Sequence, residues 1–355
     1  MQIAKNMQRL ISAPVNLISR AVNRPLKPRW LFFAITDRCN SRCKHCNIWQ
    51  NTPTVNPLTP AEIQKTLSSP LFENIEYILN TGGEPTTRGD LEEVFLAEHK
   101  ALPNAKLQLS TNGLLPDRAL DLVKFALKND IGIDVGISLD GIGNKHDEIR
   151  GVPGNFNKAE RLLSELFKLR DQNPGKLDIT VGYVLSALSL PTLQEVRTYL
   201  KEKFCIEPFV QWYNEAPFYD NVGNTLTGKD ELIQTVKSLD PEILGGINLK
   251  EMWLKWLAGR PIKFQCFAID TFCVLKCDGA IAPCLSLWDI EIGNVREKSP
   301  EEVWDSKRAN EVRKMVRNCS GCLNAWGTGW SWNSSYYPYL LTYIRHPGIL
   351  ARSLK

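Results

Sequence analysis

From residue 31 onward, short apolar runs alternate with segments of helical periodicity. Six runs rich in β-branched and aromatic residues predict strands, at residues 31–36, 75–80, 106–111, 133–139, 177–185 and 207–212. One intervening segment opens with Thr59, Pro60 and Glu62, a helix-capping signature. Each segment is long enough for a right-handed crossover between parallel strands. We therefore predict an α/β fold, a partial (β/α)6 TIM-like barrel, because six strands are too few for the closed eight-stranded form.

A polar motif follows each of the first four predicted strands. In chain order, the motifs are TDRCNSRCKHC (36–46), TGGEP (81–85), STNG (110–113) and SLDG (138–141). The carboxyl ends of parallel strands meet at one edge of a sheet, where α/β proteins carry their chemistry. We expect the four motifs to form one site.

Ten cysteines are unusual for a chain of 355 residues, and most of them are clustered. No apolar run is long enough for a membrane span, and no signal peptide begins the chain, so we expect a cytoplasmic protein. Clustered cysteines in a reducing compartment indicate metal or redox chemistry rather than disulfides. Composition, with 43% hydrophobic and 23% charged residues, is that of a globular protein rather than a disordered one.

The first cysteine cluster has three members, Cys39, Cys43 and Cys46. A structural zinc site needs four ligands, whereas a [4Fe–4S] cube held by three thiolates keeps one iron open to an outside ligand. A second group of cysteines flanks two predicted features. The first is a hairpin turn at Asp278–Gly279, and the second is a turn and helix over residues 293–316. Its members are Cys266, Cys284, Cys319 and Cys322, which predict a four-thiolate site.

The spacing Cys39-x3-Cys43-x2-Cys46 after the first strand resembles the signature of the radical S-adenosylmethionine (radical SAM) superfamily, whose fold is a (β/α)6 partial barrel. The resemblance implies a [4Fe–4S] cluster on these cysteines, with SAM bound to its fourth iron. It implies reductive cleavage of SAM to a 5′-deoxyadenosyl radical that abstracts a substrate hydrogen. A reducing electron donor such as flavodoxin or ferredoxin would supply the electron.

The resemblance also implies contacts with SAM. His45 matches the position near the adenine, Arg150 matches an arginine that pairs with the SAM carboxylate, and TGGEP matches the motif that holds the amino group. The implied cofactor-binding residues are His45, Gly82, Gly83, Glu84, Ser110, Asn112, Ser138, Asp140 and Arg150. The alternative for most of them is ordinary turn and cap chemistry.

The second cysteine group resembles the twitch domain, a shortened SPASM domain that holds one auxiliary [4Fe–4S] cluster. No cysteine follows Cys322, so we do not expect a second auxiliary cluster. Zinc is the alternative occupant. Cys273 could replace Cys266 as a ligand, and the leftover thiols Cys205, Cys273 and Cys277 are either inert or able to return a hydrogen atom to a substrate radical.

Both ends of the chain are basic. Residues 1–36 and 323–355 contain no acidic residue and carry nine Lys and Arg, and the aromatic-rich tail is typical of a membrane interface. Peripheral contact at the inner membrane surface is one expectation, and packing against the barrel is the alternative. Nucleic-acid binding is not expected, because the basic residues lie among apolar stripes.

We divide the chain into five parts: a basic amphipathic segment (1–30), the radical SAM barrel core (31–215), a helical linker region (216–261), the twitch/SPASM-like domain (262–322) and a basic aromatic tail (323–355). With no room for a leader-binding domain before the first strand, we favour oxidation or related C–H modification of a small-molecule, lipid-linked or other membrane-associated substrate. The alternatives are maturation of a ribosomal peptide and a non-catalytic iron–sulfur or zinc scaffold. No catalytic residue beyond the cofactor ligands is assigned.

Overall fold

The computed structural model describes residues 16, 18–20, 24–224, 229–244, 247–260, 262, 265–319 and 324–335. Its strands are β1 (Trp30–Thr36), β2 (Tyr77–Gly82), β3 (Lys106–Thr111), β4 (Ile133–Ser138), β5 (Leu177–Leu185), β6 (Phe209–Trp212), β7 (Phe272–Lys276), β8 (Ala280–Ala282) and β9 (Gly293–Asn294). They form one sheet in the order β6-β5-β4-β3-β2-β1-β7-β8-β9. Strands β1 to β6 pair in parallel, which confirms the predicted open (β/α)6 architecture.

Helices cover this sheet. They are α1 (Pro60–Leu67), α2 (Leu91–Ala101), α3 (Pro116–Lys128), α4 (Asn144–Arg150), α5 (Asn155–Gln172), α6 (Leu193–Phe204), α7 (Lys229–Ser238), α8 (Ile247–Leu257), α9 (Pro300–Trp304), α10 (Lys307–Arg317) and α11 (Ala325–Ser335). The predicted cap of α1 is confirmed: the Thr59 hydroxyl accepts from the Glu62 N–H, and the Glu62 carboxylate accepts from the Thr59 N–H at 2.8 Å.

All seven residues of β1 are buried, since β1 is a central strand with neighbours on both sides and helices nearby. The second strand lies two residues later than predicted. The register pairs Trp30 with Tyr77, while Ile75 ends a turn in which its N–H donates to Phe72.

The hairpin predicted at Asp278–Gly279 is confirmed, with β7 and β8 antiparallel and Gly279 at φ +94°. The sequence did not predict that β7 also pairs in parallel with β1, which makes the hairpin continuous with the barrel sheet. The single helix predicted within residues 293–316 is wrong: two helices lie there, because Ser306 caps a new one by accepting from the Ala309 N–H.

The described parts of the two chain ends pack on each other and on the hairpin. The Asn16 side chain donates to the Ser334 carbonyl at 3.0 Å, and Arg20 is buried. These residues thus pack within the fold, whereas residues 1–15, 17, 21–23, 320–323 and 336–355 lie outside the described residues, and membrane contact stays a prediction. Among the helices that the structure describes, none is long and apolar enough to cross a membrane.

Candidate functional site

A cavity of about 200 Å³ lies at the carboxyl ends of the parallel strands. Cys39, Cys43 and Cys46 line it, together with eight of the nine cofactor residues implied by the sequence. These eight are His45, Gly82, Gly83, Glu84, Ser110, Asn112, Ser138 and Arg150. The structure therefore brings the four strand-end motifs together at one place. Only Asp140 does not reach the cavity wall.

The cysteine loop is held by the C-terminal end of α4. The Arg42 N–H donates to the Arg150 carbonyl at 3.1 Å, and the Lys44 N–H donates to the Ile149 carbonyl at 2.9 Å. Burial raises the pKa of the Cys39 and Cys46 thiols to about 12. Without a bound metal these groups would stay neutral at pH 7.

Three thiols are the donors that this loop offers to a metal site. Within the described ranges, no three His, Cys, Asp or Glu side chains converge closely enough to hold one metal ion. A cube places each thiolate on a different iron, so its ligands are spread around the cluster. Three thiols around one cavity are therefore compatible with a [4Fe–4S] cluster on Cys39, Cys43 and Cys46.

The two glycines after β2 allow close approach of the cysteine loop. A Cβ on Gly82, which has φ +118°, would stand 1.9 Å from the Thr36 carbonyl oxygen, and one on Gly83 would stand 2.1 Å from that of Arg38. The Gly83 N–H donates to Thr36, and the Glu84 N–H donates to Arg38, both at 2.7 Å. These glycines thus tie the end of β2 to the loop that carries the cysteines.

The Glu84 carboxylate links the ends of β2 and β3. Its Oε1 accepts from the Thr86 N–H and hydroxyl and from the Thr111 hydroxyl, and its Oε2 accepts from the Asn112 N–H at 2.7 Å. Burial raises the pKa of Glu84, and these hydrogen bonds oppose that rise. Oε2 makes only one of these bonds, so it retains capacity to accept another.

Asp140 lies behind Arg150. It is fully buried, with Oδ2 2.7 Å from the Arg150 Nε and Oδ1 accepting from the Val184 N–H at 2.8 Å. Burial disfavours its charged form, but Arg150 together with His45, His146 and the Val184 N–H outweighs that effect and holds the pKa of Asp140 below its ordinary value. The SAM contact that the resemblance implies for Asp140 stays a prediction, and Asp140 is not among the residues that line the cavity. Its described contacts orient Arg150 instead.

His45 is buried at the cavity wall, and burial together with Arg150 lowers its pKa to about 4. A second histidine, His146, was not singled out from the sequence. Its Nδ1 accepts from the Asp140 N–H at 3.1 Å, so a neutral ring carries its proton on Nε2. Burial together with Arg150 also lowers the pKa of His146 to about 4. Both imidazoles are therefore uncharged at pH 7, leaving Arg150 as the cation among the lining residues.

The sequence did not point to the part of the cavity at the end of β6 and just after it. Gln211 of β6 and Tyr213 and Asn214 after it line the cavity there, with Phe218 and Tyr219 from the next turn. The signal was present, because the sixth predicted strand ends at residue 212 and its carboxyl end belongs to the same edge of the sheet.

The second cysteine group is only partly within the described residues. Cys266 and Cys284 are half-buried, Cys319 is exposed at the end of α10, and Cys322 lies outside the described part. Ligation by these four thus remains a prediction. Cys273 is fully buried within β7 as part of the hydrophobic core.

The remaining two thiols have different surroundings. The Cys277 thiol is buried and donates to the Thr54 hydroxyl at 3.5 Å. Cys205 is exposed just after α6. Neither residue is among those that line the cavity of the cysteine loop.

Comparison with family models gives two matches. The radical SAM superfamily model matches residues 33–185, and the SPASM iron–sulfur cluster-binding domain model matches residues 266–323. The first implies a [4Fe–4S] cluster and SAM, and the second implies auxiliary iron–sulfur chemistry.

Several curated proteins are similar to this chain. A probable GTP 3′,8-cyclase of Methanococcus vannielii is 30% identical over 265 residues, covering 71% of this chain and 83% of the relative. The sporulation killing factor maturation protein SkfB of Bacillus subtilis is 23% identical over 299 residues, covering 80% of this chain and 67% of the relative. The pre-heme d1 synthase of Dinoroseobacter shibae is 35% identical over 146 residues, covering 40% of this chain and 33% of the relative. The match thus spans only about a third of that last relative.

Solved structures share the fold. Native anSMEcpe with bound AdoMet superposes with a TM-score of 0.59 at 21% identity, covering 93% of this chain and all of that one. Streptococcus suis SuiB bound to precursor peptide SuiA gives a TM-score of 0.60 at 17% identity, covering 85% of this chain and 70% of SuiB. One conclusion follows from the cysteine spacing, the strand-end site, the two family matches and the cyclase alignment. The chain belongs to the radical SAM superfamily and carries a SPASM iron–sulfur cluster-binding domain in its C-terminal part.

Proposed function

We propose that the protein removes a hydrogen atom from a substrate held in the cavity at the strand ends, and that an auxiliary [4Fe–4S] cluster supports oxidation or a related C–H modification. The observation that carries the proposal is the meeting of three thiols, the glycine–glutamate motif and Arg150 around one cavity. When bound, the cluster on the three thiolates and SAM supply the 5′-deoxyadenosyl radical.

The chain's own residues hold and shield these groups. Cys39, Cys43 and Cys46 are the proposed cluster ligands. Arg150, oriented by Asp140, provides a buried cation for the SAM carboxylate, and the remaining acceptor capacity of Glu84 suits an ammonium group. Neutral His45 suits a place beside an uncharged ring. Ser110, Asn112 and Ser138 add hydroxyl and amide groups to the same cavity.

Apolar side chains also line the cavity. They include Phe32, Ile48, Leu79 and Phe218, and the Phe32 and Phe218 rings meet edge to face at 5.4 Å. Such a lining excludes water from the site and would protect a reactive carbon radical.

The favoured substrate is a small or membrane-associated molecule. Peptide maturation is the second candidate, supported by SkfB, which is named a maturation protein and aligns with 80% of this chain. The proposal of a membrane-associated substrate rests on the basic residues of the two chain ends. Flotation with anionic vesicles tests it, since a protein that stays with the soluble fraction has no such contact.

The central test is anaerobic. Reconstituted protein is incubated with SAM and dithionite, and 5′-deoxyadenosine is measured. Candidate substrates deuterated at the reacting carbon should then transfer deuterium into 5′-deoxyadenosine. A C39A/C43A/C46A variant is the matched control and should form none. A wild-type protein that also forms none would instead be an iron–sulfur or zinc scaffold.

A further inference from the structure

A buried arginine near the N-terminus contacts the residue that begins the second cysteine group. Arg20 is only 6% exposed, and its Nη1 donates to the Cys266 carbonyl at 2.7 Å. Its Nε lies 3.0 Å from the Asp270 Oδ2, and its guanidinium carbon lies 4.3 Å from the centre of the Phe267 ring. The N-terminal segment thus inserts a cation beside Cys266.

A second buried arginine holds the same turn from the other side. The Arg313 Nε, on α10, donates to the Ile269 carbonyl at 3.0 Å and lies 3.9 Å from the Asp270 Oδ1. Asp270 and Arg313 are almost completely buried. The cluster of Arg20, Asp270 and Arg313, which we call the arginine cluster, has a formal net charge of +1. Arg317 acts electrostatically on all three members and Asp305 acts on Arg313, so these two opposite charges leave that net charge unchanged. Charges in such an environment act more strongly than charges in water.

The turn that these residues hold is strained. Ile269 has φ +56°, a left-handed conformation that β-branched residues rarely adopt. Such a conformation persists only where surrounding contacts impose it. Here the Asp270 N–H donates to the Phe267 carbonyl, and the Ile269 N–H donates to that of Phe272. The Cys266 Sγ accepts from the Ala268 N–H at 3.5 Å, so the sulfur is tied to the segment that leads into this turn. Contacts that hold the turn, including those of Arg20, therefore bear on where the sulfur lies.

We propose that the arginine cluster is the outer shell of the auxiliary iron–sulfur site, with Arg20 as a positioning residue that fixes Cys266 and raises the reduction potential of the cluster. This inference rests on the assignment of Cys266 as a ligand in the proposed function. Reduction adds negative charge to the cluster. A net positive charge beside a ligand therefore favours the reduced form, as outer-shell groups do at other metal sites.

The charges give predictions of opposite sign. Arg20→Gln removes one positive charge, while Arg313 and Arg317 still act on Asp270, so the potential should fall. Asp270→Asn removes the negative charge and leaves two arginines, so the potential should rise. Arg20→Lys keeps the charge and should stay closest to wild type. A purely structural role would move the Arg20→Gln and Asp270→Asn potentials in the same direction or leave both unchanged.

The experiment is an anaerobic redox titration followed by EPR, in full-length protein with C39A/C43A/C46A so that only the auxiliary cluster is observed. We expect Arg20→Gln to lower the reduced-to-oxidised ratio at a fixed potential about tenfold, equivalent to 59 mV for one electron. The matched control is Arg118→Gln, which removes a cation that pairs with Glu92 on the barrel helices, and it should leave the potential unchanged.

Iron content keeps the test informative if a variant loses its cluster. Loss of iron in Arg20→Gln, with retention in Arg20→Lys and Arg118→Gln, supports the positioning role. Loss in Arg20→Lys as well, or unchanged potentials in Arg20→Gln and Asp270→Asn, overturns the inference. Absence of any cluster in the C39A/C43A/C46A parent, in contrast, refutes the auxiliary-site assignment and the inference together.

Discussion

Asp140 forms a buried ion pair with Arg150, with 2.7 Å between Oδ2 and Nε. On its other side, the Arg150 guanidinium approaches the cysteine loop, with Nη1 3.8 Å from the Cys43 Sγ. Asp140, which does not line the cavity, thus orients Arg150, which does. Both residues sit in a region of low dielectric constant, where removal of one partner leaves an uncompensated charge.

Asp140→Asn should therefore lower the free energy of unfolding by about 3–5 kcal/mol. It should also weaken SAM binding, because Arg150 loses its orientation. Denaturant titration and equilibrium binding of SAM measure the two effects. Asp117→Asn is the control, since it breaks the exposed pair of Asp117 with Arg161 and should cost less than about 1 kcal/mol. Equal losses in the two variants would contradict a special role for the buried pair.

The glycine pair after β2 gives a second prediction. Gly82→Ala places a methyl group against the Thr36 carbonyl oxygen in a backbone conformation that alanine rarely adopts, so we expect a loss of about 3–5 kcal/mol in unfolding free energy and weaker cluster assembly. Gly89→Ala lies seven residues further on, where nothing stands within 4 Å of the new Cβ, and should change stability by less than about 1 kcal/mol. Thermal unfolding and iron content check both variants. A stable, iron-loaded Gly82→Ala protein would refute the proposed tight contact.

A buried carboxyl group that does not line the cavity predicts a pH dependence. Glu98 on α2 is completely buried, where the Asn80 side chain of β2 donates to its Oε2 at 2.8 Å. Burial raises the pKa of Glu98 to about 8. Between its unfolded pKa near 4.5 and about 8, the folded protein holds a proton here that the unfolded chain releases. The contribution of Glu98 is thus fully present at low pH and is lost as the pH rises.

Glu98→Gln removes this dependence. Relative to the variant, wild type should lose up to about 1.4 kcal/mol of unfolding free energy per pH unit between pH 4.5 and 8, and the difference should level off above that range. Denaturant titrations across this range, with wild type and variant side by side, cancel the opposite contributions of His45 and His146. Glu93→Gln, an exposed substitution on the same helix, should follow wild type. A pH-independent difference between Glu98→Gln and wild type would show that Glu98 is charged throughout.

The barrel strands could be predicted because each is a compact apolar run bounded by polar turns. The site could be predicted as a group because parallel strands end at one edge, which brought Cys43, Glu84 and Asn112 into one cavity. Asp140 shows the limit of that reasoning. Its position after β4 is correct, but whether its side chain faces the cavity or the guanidinium behind it depends on α4, a helix that begins only at Asn144.

Long-range pairing could not be predicted in the same way. The local sequence of β7 predicts one arm of a hairpin. Nothing in that sequence indicates that β7 also pairs in parallel with β1, which lies far away in the chain. Arg20 is similar, because a basic residue among apolar ones gives no sign of a buried partner such as Asp270. Both contacts arise from tertiary packing rather than from local pattern.

The β1–β7 pairing bears on which cysteines hold the auxiliary cluster. Cys273 faces Leu31 of β1 in the register, is fully buried and belongs to the hydrophobic core, whereas Cys266 is half-buried before the strand begins. Burial alone raises the pKa of Cys273 to about 12, as expected for a thiol among apolar groups. These surroundings favour Cys266 over Cys273 as the ligand.

Iron content distinguishes the two cysteines. Wild-type protein with two [4Fe–4S] clusters holds about eight iron atoms per chain, and Cys266→Ala should reduce this to about four. Cys273→Ala should keep about eight, because it removes only one buried sulfur from the core, with a modest loss of stability. Iron analysis and Mössbauer spectra of anaerobically purified variants measure the result. If Cys273→Ala lost half of the iron and Cys266→Ala kept all of it, the ligand would be Cys273, and Arg20 would have no ligand to position.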